Sequence, residues 1–235
     1  MGSKLFNYDI FSETQDELIE KVFSMNKVNI VSGNPEILNL GLHDEKILSL
    51  FNDEKSIIIP DGIGTVIASK IVKNPVKEKI AGVEVMEKIV KKCSLTNRSI
   101  YLLGASQEVV DKCEDVLKIK YPGINVCGKH NGYFDMENCE DIVKDIEEKN
   151  PYALFIAMGA PRQELFIMKY INRLPCSIYM GVGGSFDTIS GKTKRAPKWM
   201  INCGMEWVYR TIKDPKRISR LVVIPKFLFK VIKEK

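Results

Sequence analysis

A carboxylate placed directly after a buried apolar run is the first feature of this chain that could do chemistry. Ser56-Ile57-Ile58-Ile59-Pro60 leads into Asp61, and Gly62-Ile63-Gly64 follows. A partly desolvated aspartate can take a proton from a hydroxyl. It can equally cap a helix that starts near Ile63, and both readings stand. Glu164, at the start of a helical pattern, either favours the helix dipole or grips ribose hydroxyls. Asp187 is either a cap or turn residue or an acceptor for the N–H edge of a base. Further on, Arg217 and Arg220 are three apart and share a helix face, and Arg210 and Lys213 end the helix expected before them over 196–212. Guanidinium forks pair with phosphate oxygens. Where no metal does so, they can neutralise a departing diphosphate.

These residues need elements to hold them. Short apolar runs recur at Val28–Val31, Ser56–Ile59, Ser99–Leu103, Ile124–Val126, Ala153–Met158 and Ser177–Val182. Several are too continuous for a one-sided strand and fit strands buried on both faces. Between them, helical periodicity marks Thr14–Met25, Glu84–Lys92, Glu108–Ile119, Cys139–Glu148 and Gln163–Ile171. This alternation predicts an α/β fold: a Rossmann-like wound, mostly parallel sheet with helices on both faces. One catalytic domain is expected over 1–190 and a basic helical appendage over 191–235. In such a sheet, ligands sit beyond the carboxyl ends of the strands. The loops there are rich in small residues: Ser32-Gly33-Asn34-Pro35, Pro60–Gly64, Gly104-Ala105-Ser106, Gly159–Glu164 and Gly181–Asp187. Five such loops in register point to a nucleotide or sugar-nucleotide pocket.

Charge is unevenly spread over the 235 residues, whose formal net charge is +5. Residues 192–235 carry thirteen Lys and Arg against three acids, so the remainder is mildly acidic. A basic tail implies an anionic partner (nucleic acid, anionic lipid or a phosphorylated ligand) unless it is merely a solvated face. Asp214-Pro215 reads as a cap with proline at the first helical position. Beyond Pro225, Lys226, Lys230 and Lys233 alternate with Phe227, Leu228, Phe229, Val231 and Ile232. That pattern suits an anionic membrane surface or an ordinary helix packed by its apolar face. The exposed apolar residues could also pair with a second copy of the chain.

Composition and motif searches exclude other classes. With 45% hydrophobic and 28% charged residues the chain is not disordered. The longest charge-free run, Leu174 to Phe186, is too short to span a bilayer. The N-terminal Met-Gly-Ser-Lys-Leu-Phe has no secretory core, and Phe6 stands where a myristoylation motif needs Ser or Thr. Six scattered cysteines form no Cys-x-x-Cys pair and are expected as reduced thiols. Two histidines, His43 and His130, cannot make a multi-histidine metal site. The dinucleotide fingerprint fails, because Ile67 stands where its third Gly or Ala belongs. No Walker Gly-Lys-Ser/Thr, no Gly-x-Ser-x-Gly and no Asp-x-Asp occurs.

Several blocks together resemble the WecG/TagA/CpsF glycosyltransferases. They are Pro60-Asp61-Gly62-Ile63-Gly64, Ala81-Gly82-Val83-Glu84, Gly159-Ala160-Pro161-Arg162-Gln163-Glu164, Gly181–Asp187, Arg195-Ala196-Pro197, Glu206-Trp207-Val208-Tyr209-Arg210 and Pro215-Lys216-Arg217-Ile218-Ser219-Arg220. The resemblance runs from about Val28 to Arg220. It implies an inverting transferase that needs no metal or other cofactor and moves a sugar, typically N-acetylmannosamine, from its UDP donor. The acceptor is a sugar, typically GlcNAc, on a polyprenyl diphosphate, in teichoic acid, enterobacterial common antigen or capsule-like pathways. Asp61 would be the base, with Arg210, Arg217 and Arg220 brought over the pocket by the docked appendage. Gln163, Glu164 and Asp187 would belong to the UDP pocket. Ser32, Asn34, Gly62, Lys79, Gly104, Gly159 and Gly183 complete the expected binding set.

The resemblance also places the protein at the inner face of the cell membrane as a peripheral enzyme, with no nucleic-acid partner. This chain departs from the family pattern twice. Ser32-Gly33-Asn34 replaces the usual Thr-Pro-Asn, which keeps a hydroxyl but loosens the backbone. Lys79 replaces the usual Arg, which removes a bidentate grip. Two competing classes are a nicotinamide-dependent oxidoreductase and a non-catalytic module that binds anionic lipid or nucleic acid.

Overall fold

A computed structural model describes residues 2–197, 199–200, 205–213 and 218–233. Its eight strands are β1 (Ser3–Leu5), β2 (Tyr8–Ile10), β3 (Val28–Ser32), β4 (Ser56–Ile59), β5 (Ser99–Gly104), β6 (Asn125–His130), β7 (Ala153–Ala157) and β8 (Ile178–Gly181). They form one sheet in the order β1-β2-β4-β3-β8-β7-β5-β6. Only the β1–β2 pair is antiparallel, so the expected α/β sheet is the one observed.

The helices lie on both faces, as right-handed crossovers require. On one face are α1 (Gln15–Ser24), α5 (Gly82–Leu95), α6 (Gln107–Lys120) and the short α9 (Ser185–Ile189). On the other are α2 (Pro35–Gly41), α3 (Glu45–Phe51), α4 (Ile63–Ile71), α7 (Glu140–Lys149) and α8 (Arg162–Tyr170). Phe155, Ile30 and Met180 bury toward the first face, and Leu154, Val31 and Tyr179 toward the second. Side chains that alternate between two dry faces explain why the strands read as continuous apolar runs.

The chain continues in α10 (Glu206–Lys213) and α11 (Ile218–Lys233). α11 lies across α2 and α4, with Phe227 and Val231 buried in the second face. Phe227 meets Phe6, at the turn of the β1–β2 hairpin, edge-on at 5.4 Å. The first and last segments of the chain are therefore in contact.

Four expectations need correction or completion. The helix expected over 196–212 does not begin at Ala196, since Ala196 and Pro197 are non-helical and Met205 precedes the α10 start at Glu206. Proline disfavours helical backbone at the residue before it. β6 extends to His130, beyond Val126, where Gly128, Lys129 and His130 carry no apolar signal because the strand lies at the sheet edge. The hairpin, α2 and α3 had no period long enough to register. The cap expected at Asp214-Pro215 lies outside the described residues. All five described cysteines are free, and burial pushes the Cys93, Cys113 and Cys176 thiols up to about 12.

Candidate active site

Strand register brings the chemistry to one edge. Ser32 pairs with Ile59, Ile156 with Gly181, and Gly104 with Ala157, so the loops that follow emerge side by side. They enclose a cavity of about 590 Å³. One half is lined by Ser32, Asn34, Asp61, Gly62, Lys79 and Gly82, and the other by Tyr133, Gly159, Gln163, Gly183 and Asp187. Thr211 of α10 and Val223 and Ile224 of α11 supply a third wall.

Asp61 is not the helix cap that the sequence left open. Gly62 occupies the cap of α4 with φ +94°, a conformation that glycine adopts without strain, and no side chain bonds there. What faces Asp61 is the first residue of α5. A Cβ placed on Gly82 would lie 3.3 Å from Asp61 Oδ2 and 2.7 Å from Ser32 Oγ. Carboxylate and hydroxyl therefore converge on one backbone position that only glycine leaves open. α5 has no side-chain cap, so the partial positive charge of its start stands beside Asp61. As a carboxylate, Asp61 can accept a proton.

The neighbouring loop is tied on both sides. Gly33 N–H donates to Ile59 O at 2.9 Å, and Thr65 Oγ1 donates to Gly33 O at 2.6 Å. Proline could not make the first bond, so glycine carries a tie here that the family's usual residue cannot. Asn34 Oδ1 accepts from Glu36 N–H and Ile37 N–H as the α2 cap, which leaves its amide N–H groups to offer a ligand.

In the other half, Gln163 is buried on the cavity wall. Its Oε1 accepts from Gly183 N–H at 3.1 Å, and its Nε2 donates to Glu164 Oε1 at 2.8 Å. Glu164 itself does not reach the cavity. It is 5% exposed, and its Oε2 finds no hydrogen-bond partner among the described residues. Burial holds its carboxyl above the usual range. Of the groups expected at the ligand, Glu164 thus stands behind Gln163, to which it is bonded. Gly104 is likewise behind the wall, pressed against the backbone of Ala157, while Ala105 lines the cavity.

Asp187 sits in the first turn of α9 but is not its cap, which is Gly184. Its carboxylate faces the cavity, with Lys192 Nζ at 3.6 Å. Arg195 Nη2 meets Glu84 Oε1 at 2.5 Å and ties the segment after α9 to the first turn of α5. Arg217 lies outside the described residues. The backbones of Arg210 and Arg220 lie on α10 and α11, but their side chains are outside what is described.

Sequence reasoning missed Tyr133, a residue 81% exposed on the cavity wall. An aromatic between two polar stretches was the only available signal. Among the described residues no group of three His, Cys, Asp or Glu side chains is placed to hold an ion, and no helix is long and apolar enough to cross a membrane.

Comparison with known proteins agrees with this geometry. The sequence profile of the "Glycosyl transferase WecG/TagA/CpsF family" matches residues 3–235. The chain is 40% identical over 212 residues to proteins of Staphylococcus aureus strains MW2 and NCTC 8325, a match covering 90% of this chain and 82% of each relative. Both are named N-acetylglucosaminyldiphosphoundecaprenol N-acetyl-beta-D-mannosaminyltransferase. With a profile spanning nearly every residue and relatives 40% identical over 90% of its length, this chain belongs to the WecG/TagA/CpsF family of glycosyltransferases.

Proposed function

We propose that the chain transfers N-acetylmannosamine, or a closely related sugar, from UDP to the GlcNAc of a polyprenyl-diphosphate-linked acceptor, with inversion and without a metal. The observation that carries this reading is the Asp61–Ser32–Gly82 junction, a carboxylate held at a helix start on the wall of a cavity large enough for a sugar nucleotide. The names of the Staphylococcus relatives support the donor and acceptor classes.

In this reading the donor lies across the carboxyl edge. The base rests near Tyr133 and Asp187, and the diphosphate near the Gly159 and Gly183 loops. Aromatic rings of this kind stack on bases without needing a particular edge. Asp61 removes the proton of the acceptor hydroxyl as that oxygen attacks the anomeric carbon. The bond from that carbon to the diphosphate oxygen breaks, and UDP departs with the electron pair. Arg210, Arg217 and Arg220 offset its charge.

Residues 1–190 carry most of the donor pocket, and the segment over 191–235, which adds its third wall, docks on lipid at the inner face of the membrane. The outward side of α11 supports that docking: Val222, Phe229 and Ile232 are exposed beside Lys226 and Lys233. Apolar residues among lysines suit an anionic bilayer surface.

The test is direct. UDP-N-acetylmannosamine and a short-chain lipid-linked GlcNAc are incubated with the full chain, with and without EDTA, and the product is read by mass. A single added N-acetylhexosamine, indifferent to EDTA, is expected. No transfer, or binding of NAD in preference to UDP, would overturn the reading.

A further inference from the structure

Arg162 lies inside the Pro161–Glu164 block, yet the mechanism above gives it no part. Its Nη2 donates to Phe134 O at 2.9 Å and to Gly132 O at 3.3 Å, the carbonyls on either side of Tyr133. The guanidinium carbon lies 5.9 Å from the Phe134 ring centroid. The same short loop is held at two further points. Gly132 N–H donates to Ala105 O at 2.9 Å, and Tyr133 N–H donates to Asn131 Oδ1 at 2.9 Å. The backbone of Tyr133 is thus fixed from three directions while its ring stands almost wholly in water on the cavity wall. A ring so exposed gains nothing from the fold; the bonds around it stabilise its placement, not its burial.

We propose that Arg162 is a positioning residue that clamps the 131–134 loop, so that Tyr133 stands as a preformed platform for the flat pyrimidine of the nucleotide donor. This rests on the UDP-sugar reading. Holding the loop beforehand removes an ordering cost that binding would otherwise have to meet. Charged donors make the stronger hydrogen bonds, which is why an exposed arginine can hold two carbonyls against water. The clamp acts on binding of the base. It has no contact with the group being transferred, so it separates affinity from turnover.

The test measures UDP affinity by calorimetry for the wild type, Arg162→Ala, Arg162→Lys, Tyr133→Ala and the Arg162→Ala/Tyr133→Ala double variant. Hydrogen exchange over residues 131–134 is measured in the same proteins without ligand. Loss of a stacked base is worth about tenfold in affinity, so Arg162→Ala and Tyr133→Ala should each weaken UDP binding about tenfold. The double variant should be no weaker than Tyr133→Ala alone, and Arg162→Lys should recover most of the loss. Turnover at saturating donor should stay within about twofold in Arg162→Ala, and exchange at Tyr133 should quicken. A wild type that fails to bind UDP would overturn the donor reading, and with it this one. A wild type that binds UDP, with Arg162→Ala unchanged or with the two losses multiplying in the double variant, would overturn the positioning role alone.

Discussion

Gln163 and Glu164, adjacent in sequence, are both buried and are joined side chain to side chain by a 2.8 Å hydrogen bond. The bond orients the Gln163 amide so that its oxygen takes Gly183 N–H, and the loop before α9 is fixed through it. A carboxyl group that the sequence offers to the ligand therefore works one layer behind it. Its value to the site is that it settles which end of the Gln163 amide points at the glycine.

The first prediction concerns that carboxyl. Burial raises the Glu164 value above the ordinary glutamate range. Below that range the group is protonated folded and unfolded alike, and it costs nothing. As pH rises through it, the unfolded chain ionises first while the folded one keeps its proton, so stability falls until the raised folded value is passed. Glu164→Gln keeps an acceptor for Gln163 and has no proton to lose. Its thermal midpoint should be nearly flat over the pH interval in which the wild type declines. Parallel curves for the two proteins would show that Glu164 does not titrate differently in the fold. Glu164→Ala should cost about 1–3 kcal/mol, because it leaves the buried Gln163 amide unpaired.

The second prediction follows from the crowded start of α5. Gly82→Ala places a methyl 2.7 Å from Ser32 Oγ, closer than real Cβ contacts allow, and 3.3 Å from Asp61 Oδ2. Either the serine or the helix must move, and the carboxylate moves with it. Because displacements near 1 Å at a reacting centre can cost about 10²-fold, turnover should fall by about one to two orders of magnitude. UDP affinity should hold within about twofold, since the donor half of the cavity is untouched. Steady-state kinetics beside calorimetry would separate the two. An equal loss in both would place Gly82 in donor binding instead.

How much of this was legible in the residues follows from what each element must bury. Strands β3, β4, β5, β7 and β8 announce themselves because both their faces are dry, and the loops at their ends carry the glycines that give the site away. β6 stops being legible at Gly128, since an edge strand needs no apolar alternation. Asp61 and Asp187 drew notice as carboxylates beyond strand ends, with a cap as the competing reading, and Gln163 came only from the family resemblance; all three line the cavity. Glu164, read with them, lies buried behind the wall and bonded to Gln163. Nothing in one sequence tells whether a polar residue on the first turn of a helix points to the ligand or to the sheet, and here adjacent residues divide those tasks. Tyr133 was missed because a lone tyrosine in a polar loop has no period to mark it.

The third prediction tests the base itself. Asp61→Asn keeps the size and the hydrogen-bonding shape of the side chain but cannot accept the acceptor's proton. General-base loss costs about 10²–10⁴-fold, so transfer should fall by that much while UDP affinity is unchanged. Product formation near the wild-type rate would leave Asp61 a neighbour of the reaction and not a participant.

The last prediction separates two jobs that α11 combines on its two sides. Phe227 is 3% exposed, lies in the core cluster beneath the helix and meets Phe6 edge-on. Phe229 is 70% exposed. Emptying a buried phenylalanine site costs about 3–5 kcal/mol, and the lost edge-on pair belongs to that sum. Phe227→Ala should therefore lower the thermal midpoint by several degrees. It should also weaken transfer, because Val223 and Ile224 of the same helix form the cavity wall. Phe229→Ala removes a ring that touches mostly water, so its midpoint should stay within about one degree, as surface substitutions do. If that side of the helix lies on lipid, Phe229→Ala should release the protein from vesicles containing anionic lipid, and the release should add to that caused by salt. Equal thermal losses in both variants would mean that α11 buries both faces against protein, and the membrane would then have to be met elsewhere.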